Sequence, residues 1–95
     1  MAKKIENELT DQLFDAILKL KTREECYQFF TDVATVGEIQ ALSQRLEVAK
    51  MLKEGVTYEE IVEKTGVSTA TISRVKRALE YGEDGYNIIL ERLEE

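Results

Sequence analysis

Residues 57–79 read TYEEIVEKTGVSTATISRVKRAL, and this stretch decides the fold. Thr57 and Glu60 stand at the spacing of a capping box, in which the hydroxyl of the first accepts the amide of the second and the glutamate reaches back. Val56 and Ile61 flank the pair as a hydrophobic staple. Ser68 repeats the device at the start of a second helix, with Val67 and Ile72 placed to close its staple. Gly66 lies between them. It supplies left-handed backbone, a conformation that costs any residue carrying a Cβ. A capped helix, a glycine turn and a second capped helix make a helix-turn-helix unit.

The apolar positions decide which faces are hidden. Ile61, Val62, Val67, Ile72, Val75 and Leu79 recur at helical spacings that let the two helices pack on each other and on a third. The second helix is left with Ser68, Thr69, Ala70, Ser73, Arg74 and Arg77 facing outward. Small and hydroxylated residues come first and guanidinium groups follow, so the face can approach base edges while binding phosphate. Thr69, Ala70 and Ser73 are the expected base-approaching residues, with Ser68 at the helix start. Arg74 or Arg77 is expected to take a guanine bidentately, and Lys64 and Lys76 to grip phosphate.

A chain with net charge −6 is repelled by DNA as a whole, so the sign has to reverse locally. It does. Residues 64–79 hold four of the thirteen basic residues and none of the nineteen acidic ones, so that window carries +4 and the remainder −10. A solvated helix end beside an ordinary acidic surface is the plainer reading of the same pattern.

Ninety-five residues make one domain, which at this size buries about two-thirds of its unfolded surface. Cys26 is the only cysteine, so no disulfide forms within one chain, and it reads as a small apolar core residue. No apolar leader or membrane-length apolar run stands in the sequence, and a cytoplasmic protein is expected. Enzymatic chemistry is not expected. The sequence holds no histidine, no glycine-rich phosphate loop and no cysteine or carboxylate set at metal-ligand spacing, so no catalytic residue, metal site or cofactor is assigned.

Upstream, residues 2–7 form a short polar lead carrying Lys3 and Lys4. Ile5, Leu9, Leu13, Ala16, Ile17 and Leu20 then keep a helical stripe through about Lys21, widened by Phe14 and Leu18. Capping boxes at Thr22–Glu25 and Thr35–Glu38 open two more helices. The first carries Cys26, Tyr27, Phe29, Phe30, Val33 and Ala34. The second carries Ile39, Leu42, Leu46, Ala49 and Leu52 on one face, with Val48 and Met51 on a neighbouring face, and ends at Gly55. Downstream, Gly82 ends the reading helix and Asp84 is placed to cap a last one with Tyr86, Ile89, Leu90 and Leu93. Six helices and no strand are expected. Residues 1–55 would be a dimerisation platform, 56–81 the helix-turn-helix and 82–95 a C-terminal helix.

The runs LSQRLEVAKMLKEG and YEEIVEKTGVSTATISR resemble the Trp repressor family, and size and spacing are similar to its small YerC/YecD-type branch. The resemblance is strongest over residues 35–79. It implies an all-α, six-helix, Trp-repressor-like fold and an intertwined homodimer, whose two heads meet successive major grooves about 34 Å apart on a near-palindromic operator. It also implies a ligand site in part. Thr35, Arg45, Thr71 and Arg74 match positions of the corepressor pocket, whereas Val75 stands where the indole lies against a glycine and Ala78 replaces a contacting serine. A branched side chain fills that slot, so L-tryptophan is not the expected ligand.

These readings converge on a sequence-specific transcriptional regulator, a repressor, binding double-stranded DNA as a homodimer. The alternative is a dimeric protein-interaction module that keeps the fold without specific DNA binding, since helix-turn-helix geometry is also a helix-packing solution.

Overall fold

The computed structural model describes residues 4–95, so Lys3 of the basic lead lies outside the described residues. Among these residues there are six helices and no strand: α1 (Glu8–Ile17), α2 (Arg23–Val33), α3 (Val36–Lys53), α4 (Tyr58–Thr65), α5 (Thr69–Tyr81) and α6 (Gly85–Leu93). They group into two compact units that divide between Ile39 and Gln40, inside α3 rather than at Gly55.

In the N-terminal unit each helix start is written by a side chain. Asn7 caps α1, its side-chain oxygen accepting from the Thr10 amide at 2.8 Å. Thr22 accepts from the Glu25 amide at 3.0 Å, but the Glu25 carboxylate returns to the amide of Lys21, one residue before the expected partner. At the start of α3 the box closes fully. The Glu38 amide donates to the Thr35 hydroxyl at 3.1 Å and the Thr35 amide to the Glu38 carboxylate at 2.8 Å. The backbone amide of Thr35 first, and its hydroxyl second, hold the Glu38 carboxyl below the usual carboxylate range.

Two expectations change in this unit. α1 ends at Ile17, its cap at Leu18, so the apolar period of residues 18–20 outlasts the helix. Cys26 is exposed rather than a core residue. No side chain of α1 or α2 is buried, and Leu9, Leu18 and Tyr27 are about four-fifths, four-fifths and seven-tenths exposed, a surface that α1 and α2 do not close by themselves. Phe29 and Phe30 meet edge to face, 5.4 Å between ring centroids.

The C-terminal unit, Gln40–Glu95, holds the core. Val48, Ala49 and Met51 of α3 meet Ile61 of α4, Val67 in the turn, Ile72 and Val75 of α5 and Leu90 of α6. Fully burying an isoleucine such as Ile61 or Ile72 contributes about 1.5–3 kcal/mol. Val48 and Met51 of the neighbouring face are buried together with Ala49; Leu46 and Leu52 of the expected face pack against the same core, and Leu42 remains 54% exposed.

The joint to α6 also differs from expectation. Asp84 occupies the N-cap position, but with φ 67° its carboxylate accepts no backbone amide. It takes the side-chain amide of Asn87 at 2.8 Å instead, and Asn87 accepts from Lys53 of α3 at 2.6 Å. α5 ends at Gly82 because of a close approach: a Cβ there would collide with the Ala78 carbonyl, and φ is −86°, outside the left-handed region.

Candidate nucleic-acid interface

The turn before α5 is fixed from both sides. Gly66 adopts φ 75° and its amide donates to the Val62 carbonyl at 2.8 Å, ending α4 in the left-handed conformation that glycine favours. Thr57 opens α4 by accepting the Glu60 amide at 3.3 Å. Thr65 then ties the turn. Its hydroxyl donates to the Ile61 carbonyl at 2.6 Å and accepts the Val67 amide at 3.2 Å. Ser68 caps α5 by accepting the Thr71 amide at 3.2 Å and donates its own proton to the Thr71 hydroxyl at 3.1 Å.

With Ile72 and Val75 anchored in the core, 3.6-residue periodicity turns the opposite side of α5 outward. Ser68, Thr69, Ala70, Ser73, Arg74 and Arg77 are all exposed, as expected, and Lys64 is exposed at the end of α4. Arg74 and Arg77 share a shallow depression with Ser73, Lys76, Glu80 and Tyr81. Tyr81 had no assigned role in the sequence reading. It is 78% exposed and follows Arg77 by four residues, so it extends the same face by one turn; that i, i+4 spacing was the available signal.

Lys76, the other expected phosphate contact, is exposed as well. Its ammonium lies 5.8 Å from the centroid of the Tyr58 ring and 3.9 Å from the Glu80 carboxylate, so it leans toward α4 and the end of its own helix. Both members of that ion pair are about half exposed, so the pair adds little stability. Lys76 still lines the same depression as Arg74 and Arg77, so three cations of α5 face solvent there.

The other depression at the head of α5 is a cleft of about 310 Å³ lined by Ala41, Gln44, Arg45, Val67, Ser68, Thr71 and Arg74. It brings together three of the four expected ligand residues, Arg45, Thr71 and Arg74. Thr35 is not among the lining residues and serves as the cap of α3. Gln44, which the sequence reading passed over, lies one residue before Arg45 and shares the cleft. Val75 is 1% exposed and Ala78 half-buried, so the valine is a core residue and takes no part in the lining. Among the described residues no three of His, Cys, Asp or Glu are grouped to hold a metal ion, and no helix is long and apolar enough to cross a membrane.

Six helices with a capped glycine turn and an exposed, cationic second helix define a helix-turn-helix protein. The family model for Trp repressor protein matches residues 8–94, and the chain belongs to that family. It is 59% identical over 92 residues to the uncharacterized protein YerC of Bacillus subtilis (strain 168), covering 97% of this chain and 88% of YerC. It is 42% identical over 62 residues to a Trp operon repressor homolog of Chlamydia caviae, covering 64% of this chain and 61% of that protein. The fold is shared with a crystal structure of a TrpR-like protein from Eubacterium eligens at TM-score 0.92 and 59% identity, over 96% of this chain and 94% of that one. A crystallised chain from Staphylococcus aureus, proposed to be a Trp repressor, superposes at TM-score 0.93 with 60% identity, over 97% of this chain and 92% of that one.

Proposed function

We propose that the protein is a sequence-specific transcriptional regulator, a repressor, that binds double-stranded DNA as a homodimer on a near-palindromic operator. The observation that carries this reading is the outward face of α5, where six small, hydroxylated or guanidinium side chains are exposed together on a chain otherwise strongly acidic. Ser68, Thr69, Ala70 and Ser73 allow close approach to base edges, Arg74 and Arg77 supply bidentate donors, and Lys64 supplies a phosphate contact. Lys76, about half exposed beside Glu80, supplies a second. The family, and the repressor name of the Chlamydia caviae relative, support the same direction.

The homodimer is part of the proposal. α1 and α2 bury no side chain while exposing Leu9, Leu18 and Tyr27, and a second copy is the natural cover for such surface. Two-fold symmetry then sets the heads about one helical turn apart, near 34 Å, and a palindrome follows. Val75 packs as a core residue, and its branched side chain, at the position where the resemblance implies a glycine against an indole, supports a reading without L-tryptophan as effector.

Selection from random duplex DNA at two salt concentrations tests the reading. A recovered palindrome and a dimeric mass at micromolar concentration are expected. No retained fragment at low salt would favour the alternative of a protein-interaction module, and a monomeric mass would refute the shared platform.

A further inference from the structure

The reading face of α5 lacks two of the four chemistries that distinguish base pairs in the major groove. Adenine is read by a side-chain amide on N7 and N6, and cytosine by a carboxylate accepting from N4. The helix, TATISRVKRALEY, contains no Asn, Gln or Asp. Its one carboxylate, Glu80, sits in the last turn beside Lys76 at 3.9 Å. The side-chain amide that shares a cleft with Ser68 and Arg74 is Gln44 of α3, so it belongs to α3 and not to α5 itself. Ser and Thr hydroxyls donate or accept equally, so they bind without discriminating. What remains are the exposed guanidinium groups of Arg74 and Arg77, suited to guanine O6 and N7, and the methyl groups of Ala70 and Thr69, suited to the thymine C5-methyl.

We infer that α5 specifies its half-site through guanine and the thymine methyl group, and takes no direct information from adenine N7 and N6 or from cytosine N4. The inference rests on the DNA-binding reading and gives it a base-level content. Ala70 and Arg77 are seven residues apart, about 10 Å of helix axis. At about 3.4 Å per base pair, the thymine and the guanine lie within about three base pairs of each other in each half-site.

The test uses the full-length protein and the duplex recovered by selection, with base analogues introduced one at a time. Deoxyuridine in place of thymine removes only the methyl group. At least one such change per half-site weakens binding about three- to fivefold, the worth of one buried methyl. That sensitivity disappears in Ala70→Gly or in Thr69→Ser. 7-Deazaguanine at one position weakens binding by a further factor that Arg74→Ala or Arg77→Ala abolishes, and 7-deaza-adenine has no effect anywhere. Because the analogues act on the DNA and the first measurements use the wild-type chain, misfolding of a variant cannot mimic the result. A recovered site indifferent to every deoxyuridine, or sensitive to 7-deaza-adenine, overturns this inference and leaves DNA binding standing. Recovery of no site overturns both.

Discussion

Val75 is a core residue of α5, and its replacement by alanine has a calculable cost. The side chain is 1% exposed, among Val48, Ala49, Ile61 and Ile72 of the core. Val75→Ala removes two buried methyl groups, about 1.6 kcal/mol of transfer free energy at about 0.8 kcal/mol each. The cavity left behind raises the loss to about 2–3 kcal/mol, since the surrounding side chains relax only in part. For a chain of this size each kcal/mol moves the melting temperature by about 4–8 °C, so a fall of about 8–24 °C is expected. Thermal melting by circular dichroism at fixed protein concentration measures it, the concentration being held because dimerisation would shift the midpoint. In the same assay L-tryptophan at a hundredfold excess over a working affinity would stabilise a true binder by about 2.7 kcal/mol. No such shift is expected for the wild-type chain. A drop below about 2 °C in Val75→Ala would refute the core placement of the valine, and a saturable rise with tryptophan in the wild type would refute the reading without that effector.

The other expected outcomes concern the head and the cap of α3. Arg77→Ala weakens binding to the selected duplex by about 1–3 kcal/mol with relaxed selectivity at one position, if it reads a base; a uniform loss across sequences, with the salt slope reduced by about one, assigns it to phosphate instead. Thr65→Val keeps the volume but leaves the Val67 amide and the Ile61 carbonyl without their hydroxyl partner, costing about 1–3 kcal/mol in urea unfolding, and Thr65→Ser, which keeps the hydroxyl, costs less. Glu38 has a carboxyl held below its ordinary range, so its contribution is present above the unfolded-state value and is lost as pH falls through the lower folded value. The Thr35 amide resonance should follow that titration with a midpoint below the usual glutamate range, and an amide shift indifferent to acid would contradict the reciprocal cap.

Helix starts were legible because a cap is a local contract between two residues three apart. Thr22, Thr35, Thr57 and Ser68 each accept the expected amide, and Gly66 takes the expected left-handed turn. What failed needed information from elsewhere in the chain. The apolar pattern of α3 runs over more than one face, and only its neighbours select Val48 and Met51 over Leu42. Asp84 has the right side chain for a cap, but its backbone conformation, set by the α5–α6 joint, directs the carboxylate to Asn87. The burial expected of Cys26 assumed that a small apolar residue on a helical stripe meets a partner element, and α2 supplies none within the chain. At the site, exposure of Arg74 and Arg77 followed from the period of the core residues. The leaning of Lys76 did not, because Tyr58 is eighteen positions earlier and comes near only once α4 and α5 have packed.

The short joint between α5 and α6 has opposite tolerances two positions apart. Gly82 has no room for any side chain, so even alanine must pry the Ala78 peptide away or unwind the last turn of α5. Asp84, at φ 67°, already carries a conformational penalty that glycine would relieve and asparagine would bear easily. A saturation library across 82–84 should therefore return one position frozen and another open to simplification, and a chain rebuilt with glycine at both would retain the bend while losing the side-chain acceptor now serving Asn87.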